Sequence, residues 1–330
     1  MSRWYSEIGA DNDVVMFSRV RLARNLSDTP FKTKMSNDIK RNTVKKLYAC
    51  VKNSELAGDF DLVDLSSKSH AQAAAYAERQ LISPEFAREQ GAFLVSYDES
   101  VSVMLCEEDH IRINAFASGF DIEKAYQKAD KTDNVFLSSL PIAFDERLGF
   151  LTASPINLGT GLKISLGLHL PAIKENNSIG RLASLVGKLG LTLRPLYSDN
   201  GAFYMLTNHV SLGITEKSAI ENIKSIASQI VMQERNLRST MKRSEIREDK
   251  LYRSLGTLKM ARRLTFPEFI TLASDVRLGI ALGFFDIDLS TVSELIHTLA
   301  DGNIISSAGC EDEPELAPKQ RAEIIRSKLN

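Results

Sequence analysis

Five basic side chains occupy positions from which they could act together. Strand alternation sends Arg19 and Arg21 to one side, opposite Val20 and Leu22, and groups Arg112 with His110 and Asn114 opposite Ile111 and Ile113. The same parity puts Lys163, Ser165, Gly167 and His169 together opposite Leu162, Ile164, Leu166, Leu168 and Leu170, and Arg194 lies within the apolar run Leu191 to Leu196. Any one of these alone fits the solvated face of a sheet. Taken together, cations on rigid strands suit a polyphosphate, because guanidinium forks bind phosphate oxygens bidentately. Glu107-Glu108-Asp109 could supply a general base or a counter-charge for a cationic substrate, or could be a polar hairpin turn. The loop Ser154 to Lys163 has two glycines that permit close backbone approach to a ligand, matches neither GxGxxG nor GxxxxGK[ST], and fits an ordinary tight loop as well.

The elements that must position these groups read as mixed strand and helix from Val14 to His209. Period-two runs at Phe93 to Tyr97, Val101 to Leu105 and Ile111 to Phe116 are separated by short polar interruptions, which predicts an antiparallel meander and argues against a doubly wound sheet. Another strand is expected over Leu162 to Leu170. Helical spacing is read over Ala71 to Leu81, Ile122 to Leu140 and Glu216 to Met241. Beyond Arg243 strand signals are sparse. Thr265-Phe266-Pro267-Glu268 reads as a capping box opening a helix, and an acidic stretch at Glu311-Asp312-Glu313-Pro314-Glu315 precedes a last helix near Gln320 to Leu329. A boundary is expected between 240 and 250.

The 330 residues suffice for about two domains by the usual prior of 100 to 200 residues each. A net charge of -1 argues against a nucleic-acid coat or a polybasic membrane binder, so an anion site must be local. There is no apolar run of membrane-spanning length and no apolar N-terminal leader, so a cytoplasmic protein is expected. Cys50, Cys106 and Cys310 are too separated for a disulfide framework or a CxxC zinc site, although Cys106 near Glu108 could sense oxidation if exposed. No histidine has metal-ligand spacing, so no protein-held metal is expected.

Ser18 to Asn25, Glu107 to Arg112 and Gly149 to Lys163 resemble signatures of the ATP:guanidino phosphotransferase family, which includes creatine and arginine kinases. Arg79 to Pro84, His169-Leu170-Pro171 and Tyr252 to Gly256 resemble its bacterial protein-arginine kinase branch. The resemblance implies an α+β catalytic domain over 14–242, a large antiparallel sheet flanked by helices, followed by an all-helical domain over 243–330 for interaction or dimerisation. It also implies ATP with Mg²⁺ as cofactors. The nucleotide-binding positions it implies are Ser18, Arg19, Val20, Arg21 and Leu22, then Gln80 and Arg112, then Lys163, Ile164, Ser165, Leu166 and Gly167, and finally Arg194, Pro195, Leu196, Tyr197, Ser198 and Asp199. Glu108 falls on the carboxylate that orients the guanidinium and accepts its proton, Asp199 on a second substrate carboxylate, and Ser154 on the reactive cysteine. Implied partners are proteins with exposed arginines, marked for Clp-type proteolysis, a Clp-type ATPase, a small activator protein and a second copy of the chain.

The chain departs from that pattern at several points. Ser154 cannot become a thiolate. Gln80 replaces a histidine and cannot carry its charge, and Lys163 replaces an arginine and gives up the bidentate fork. Asp199 sits in a shortened loop and is one methylene shorter than glutamate. Of a tail motif that binds phosphoarginine allosterically, only Arg321-Ala322 remains. These departures leave open a catalytically degenerate relative that binds nucleotide or client proteins, and a kinase for a free guanidino metabolite.

Overall fold

The computed structural model describes residues 3–241, 245–309 and 314–329. The domain boundary expected at 242/243, Cys310 and the acidic residues Glu311, Asp312 and Glu313 lie outside the described residues. Eight strands form one sheet: β1 (Val15–Arg24), β2 (Phe60–Asp64), β3 (Ala92–Ser96), β4 (Val101–Leu105), β5 (Ile111–Ser118), β8 (Leu162–His169), β9 (Leu191–Pro195) and β10 (Phe203–Asn208). Their order is β2-β3-β4-β5-β1-β8-β10-β9 and every pairing is antiparallel. The expected meander is β3-β4-β5. A small hairpin pairs β6 (Phe144–Asp145) with β7 (Gly149–Phe150). The helices that precede and interrupt the sheet are α1 (Asn37–Lys52), α2 (His70–Glu78), α3 (Pro84–Arg88), α4 (Ile122–Ser139), α5 (Pro171–Glu175), α6 (Ile179–Lys188) and α7 (Glu216–Met241). The described tail is helical, with α8 (Glu245–Met260), α9 (Phe266–Ala281), α10 (Leu289–Thr298), α11 (Asp301–Ala308) and α12 (Ala317–Leu329). Among the described residues no helix is long and apolar enough to cross a membrane.

Local chemistry accounts for several boundaries. Ser36, Asp121 and Thr265 accept backbone N–H groups at the starts of α1, α4 and α9, and Ser69 with Gln72 closes a reciprocal capping box on α2. The helix expected to reach Leu81 ends at Glu78, because Arg79 caps it and Gln80 turns into the left-handed region at φ 63°.

Alternation fixes two cores. Val20, Leu22, Ile113, Ala115, Ile164 and Leu166 point into a layer covered by α1, α4, α6 and α7. The other face is not simply polar, which corrects the expectation from the alternation pattern. Towards one end it carries Phe17, Phe116 and Phe203, buried with Trp4 under α8, α9, α10 and α12, and only towards the other end does it carry Arg19, Arg21, Arg112 and Lys163. The helical tail therefore shares a core with the sheet.

Candidate active site

Register places the basic residues side by side. Arg21 pairs with Lys163 across β1 and β8 and with Asn114 across β1 and β5. Arg19 pairs with Ser165, and Arg194 pairs with Met205 across β9 and β10. With Arg112 two residues before Asn114, these side chains form a cationic row on one sheet face. Carboxylates approach only one edge of it. Arg112 hydrogen-bonds Glu107, and its Nη1 lies 3.9 Å from Glu108. Among the described residues no carboxylate pairs with Arg19, Arg21, Lys163 or Arg194, and the buried Arg19 Nε has no hydrogen-bond partner.

Uncompensated charge shows in the protonation equilibria. Burial and the neighbouring cations Arg21, Arg112, Arg19 and Arg194 push the Lys163 ammonium down to about 8. Burial, then Arg19 and Arg112, depress Arg21 well below its ordinary value, with Glu107 and Glu108 pulling the other way. Burial and Arg112 depress Arg19 similarly. Partly desolvated cations that repel one another have the electrostatics of a site completed by a polyanion.

The two glutamates of the β4-β5 hairpin have different environments. Glu107 is 7% exposed and also accepts from Ser83 Oγ (2.8 Å) and the Glu108 N–H (2.7 Å). Burial alone would raise its carboxyl, but the Arg112 charge and these hydrogen bonds outweigh that and hold it below the usual carboxylate range. Glu108 has a side chain 43% exposed, free to meet an incoming cation at the edge of the row. Glu107 thus holds Arg112 while Glu108 faces outward.

A network that the motifs do not announce ties this hairpin to the loop carrying Ser154. Asp109 is fully buried and accepts from Asn25 Nδ2 (2.6 Å) and the Ala153 N–H (2.7 Å), while Asn25 Oδ1 accepts the His110 N–H (2.9 Å). Ser154 is half-buried at the start of a short turn over Pro155–Asn157 and makes no side-chain capping bond there. His110, expected on the cationic face, is instead buried in the turn before β5, where Nδ1 accepts the Leu26 N–H (3.0 Å) and Nε2 meets Pro30 O (3.0 Å). The only advance signal was that Asn25 and Asp109 both fall inside conspicuous motifs.

The other expected site residues are placed as follows. Ser18, Val20, Leu22, Ile164 and Leu166 are buried on the opposite face, and Ser18 Oγ donates to Gly119 O (2.8 Å), so their side chains support the row without facing it. Ser165 does face it, and its Oγ accepts from Arg19 at 3.4 Å, whereas Gly167 lies on the same sheet face but under the Phe17 ring. Gln80 Oε1 accepts from Arg19 at 3.2 Å. Gly159 and Gly161 approach the protein rather than an open ligand space: an added Cβ would lie 2.4 Å from Ser211 O and 2.6 Å from Ala23 O.

Asp199 is not brought to Glu108. The β9-β10 connection emerges at the end of the sheet level with Val14, whereas Glu108 emerges at the Arg24 end. Tyr197 packs edge-on against Phe203 and Phe266, and Lys174 donates to the carbonyls of Asp199 and Gly201, which holds Leu196, Tyr197, Ser198 and Asp199 there. Pro195 is the last, exposed residue of β9. Arg321 is fully buried, donates to Leu299 O and Leu264 O (both 2.7 Å), and hydrogen-bonds Asp301. Burial pushes the Cys106 thiol up to about 11, which removes it as an accessible redox sensor.

Among the described residues no group of three or more His, Cys, Asp or Glu could hold a metal ion. The cationic row does fit a nucleotide polyphosphate, and the buried, unpartnered Arg19 Nε is one donor such a ligand would satisfy.

A family model described as ATP:guanido phosphotransferase, C-terminal catalytic domain, matches residues 41–237. One described as protein-arginine kinase McsB C-terminal domain matches residues 244–330. The chain is 34% identical to a protein-arginine kinase of Caldanaerobacter subterraneus subsp. tengcongensis, covering 97% of this chain and 98% of the relative. It is 37% identical to a protein-arginine kinase of Bacillus mycoides, covering 100% and 96%. Among solved structures, the duplicated taurocyamine kinase of Schistosoma mansoni with bound transition state analog components superposes with a TM-score of 0.62 at 22% identity, over 69% of this chain and 34% of that one. Lombricine kinase superposes with a TM-score of 0.61 at 15% identity, over 72% and 71%.

Proposed function

The chain belongs to the ATP:guanido phosphotransferase family, and from that premise we propose that it is a protein-arginine kinase, transferring the γ-phosphoryl of ATP to arginine side chains of proteins. One observation carries the reading: the uncompensated cations Arg19, Arg21, Lys163 and Arg194 form a row that ends, through Arg112, at a hairpin with one committed and one free carboxylate. On this reading the row cradles the triphosphate, and Mg²⁺, entering with ATP, screens its charge. Glu108 meets the acceptor guanidinium and takes the proton that must leave before a nitrogen lone pair is available. The nitrogen–phosphorus bond then forms as the bond from γ-phosphorus to its bridging oxygen breaks and ADP departs. With little covalent chemistry for the protein to do, alignment by rigid strands is its main contribution.

On the same reading the enzyme works in the cytoplasm, its product marks proteins for Clp-type proteolysis, and a Clp-type ATPase, a small activator and a second copy of the chain are partners. A second reading, a nucleotide- or client-binding module without transfer, draws on Ser154 in place of a thiolate and on the lysine at 163. Phosphorus NMR of the protein with Mg-ATP and an arginine-rich unfolded protein separates them. The kinase reading expects an acid-labile phosphorus–nitrogen signal that Glu108→Gln abolishes while MgADP binding persists. Absence of that signal, with an active relative as control, overturns it in favour of the binding module.

A further inference from the structure

The segment from Glu78 to Ser83, joining α2 to α3, is anchored at almost every residue. The Glu78 carboxylate accepts the backbone N–H groups of Gly302 and Asn303 (both 2.8 Å) and the Asn303 side-chain amide (2.9 Å). It thereby caps α11, whose own cap position, Ala300, offers no side-chain acceptor. Arg79 ion-pairs with Glu99 at 3.0 Å, lies 4.9 Å over the Tyr76 ring and donates to Asn303 Oδ1. Gln80 adopts φ 63° and receives Arg19. The Leu81 carbonyl accepts from Ser102 Oγ (2.5 Å) and Asn114 Nδ2 (3.0 Å). Ser83 donates to Glu107, which holds Arg112.

We infer that Asn303, on the helical tail, is a positioning residue for the nucleotide site. It holds Arg79, which fixes the left-handed Gln80 in the conformation that presents its amide oxygen to Arg19. The inference rests on the proposed function for its assignment of Arg19 to nucleotide. A non-glycine residue in the left-handed region is disfavoured and persists where its neighbours over-determine it. Here the neighbours are Arg79, locked from two sides by Glu99 and Asn303, and Leu81, locked by the sheet. Releasing Arg79 frees Gln80 to relax, and Arg19 is then left with Ser165, at 3.4 Å, as its remaining side-chain acceptor among the described residues. The tail therefore sets the geometry of a cation on the sheet without touching ligand.

The test titrates MgADP calorimetrically into the full-length wild type, Asn303→Ala, Arg79→Met and the double variant. Each single substitution is expected to weaken MgADP about five- to tenfold, the scale of one lost ordinary hydrogen bond. The double variant should be no weaker than the weaker single, because the two residues act as a unit. The KM for protein substrate should stay unchanged. Ile304→Ala, which opens a cavity under the same helix and leaves the Asn303 and Arg79 side chains in place, should lower the melting temperature and keep the MgADP affinity. MgADP affinity in Asn303→Ala within twofold of wild type overturns the inference, as does an equal loss in Ile304→Ala, which would mark a merely loosened tail. A wild type that binds no MgADP overturns the nucleotide reading itself, and the positioning role with it.

Discussion

Lys163 shows how a single substitution alters a site without dismantling it. An arginine there would keep its charge at every workable pH, but a lysine held at about 8 by burial and by four neighbouring arginines does not. In the free protein the ammonium is lost as pH rises through about 8, and a bound polyphosphate would restore it. MgADP affinity is therefore expected to be flat below pH 7 and to fall as pH rises from 7 to 9, with proton uptake on binding across that window. Lys163→Arg should abolish both effects. Calorimetric titrations in buffers of different ionisation enthalpy check this, and an affinity independent of pH in the wild type would mean that Lys163 does not meet the phosphates. At this scale the sequence was informative about residue type and parity. Arg19, Arg21 and Lys163 share a face because strand alternation has no exceptions within an unbulged run. The respective roles of Glu107 and Glu108 were not readable, because adjacent residues in a turn have no periodicity, and only their contacts with Ser83 and Arg112 in the folded chain distinguish them.

At the scale of elements, the β4-β5 hairpin and the Ser154 loop act as one unit because Asp109 joins them. Its Oδ1 accepts two N–H groups, from Asn25 and Ala153, in a fully buried setting. Burial raises the Asp109 carboxyl despite these bonds. Asp109→Ala would leave the Ala153 N–H and the Asn25 amide without an acceptor, a cost of about 1 to 3 kcal/mol for each unsatisfied buried group. The expected result is a melting temperature lowered by several degrees together with a phosphotransfer rate reduced more than MgADP affinity, since Glu108 moves with its hairpin while the cationic row is held by strands. Equal loss of rate and affinity would show that the hairpin does not act separately from the row. The strands themselves were legible as short alternating runs with polar interruptions. The shortened α2 was not, because Ala71 to Leu81 keeps an acceptable helical pattern past the point where tertiary contacts at Arg79 and Gln80 end it.

At the scale of the whole molecule, reading one sheet face as core and the other as polar missed how the tail is attached. Phe17 and Phe116 obey the same parity as Arg19 and Asn114, yet they are buried under helices more than 120 residues away in sequence, a distance over which local pattern carries no information. His297 of α10 sits in this shared core, 5.1 Å from Trp4, 5.5 Å from Tyr5 and 5.7 Å from Phe17, with Nδ1 unpartnered. Burial, aided by the Arg277 charge, pushes its imidazolium down to about 4. A histidine kept neutral in the folded state but protonated on unfolding, at an ordinary value near 6.5, contributes stability that is lost as pH falls through the window between about 6.5 and about 4. The loss is at most about 3 kcal/mol, taking roughly 1.36 kcal/mol per unit of pKa difference. His169, buried on the same face and also pushed well below its ordinary value, acts in the same direction. Chemical denaturation between pH 7 and 4 should show stability falling steadily with acidity, and His297→Phe, which keeps the aromatic packing, should flatten that slope by about half. An unchanged slope would mean that His297 stays protonatable in the folded protein, and that the sheet and the tail are joined less tightly than their shared core implies.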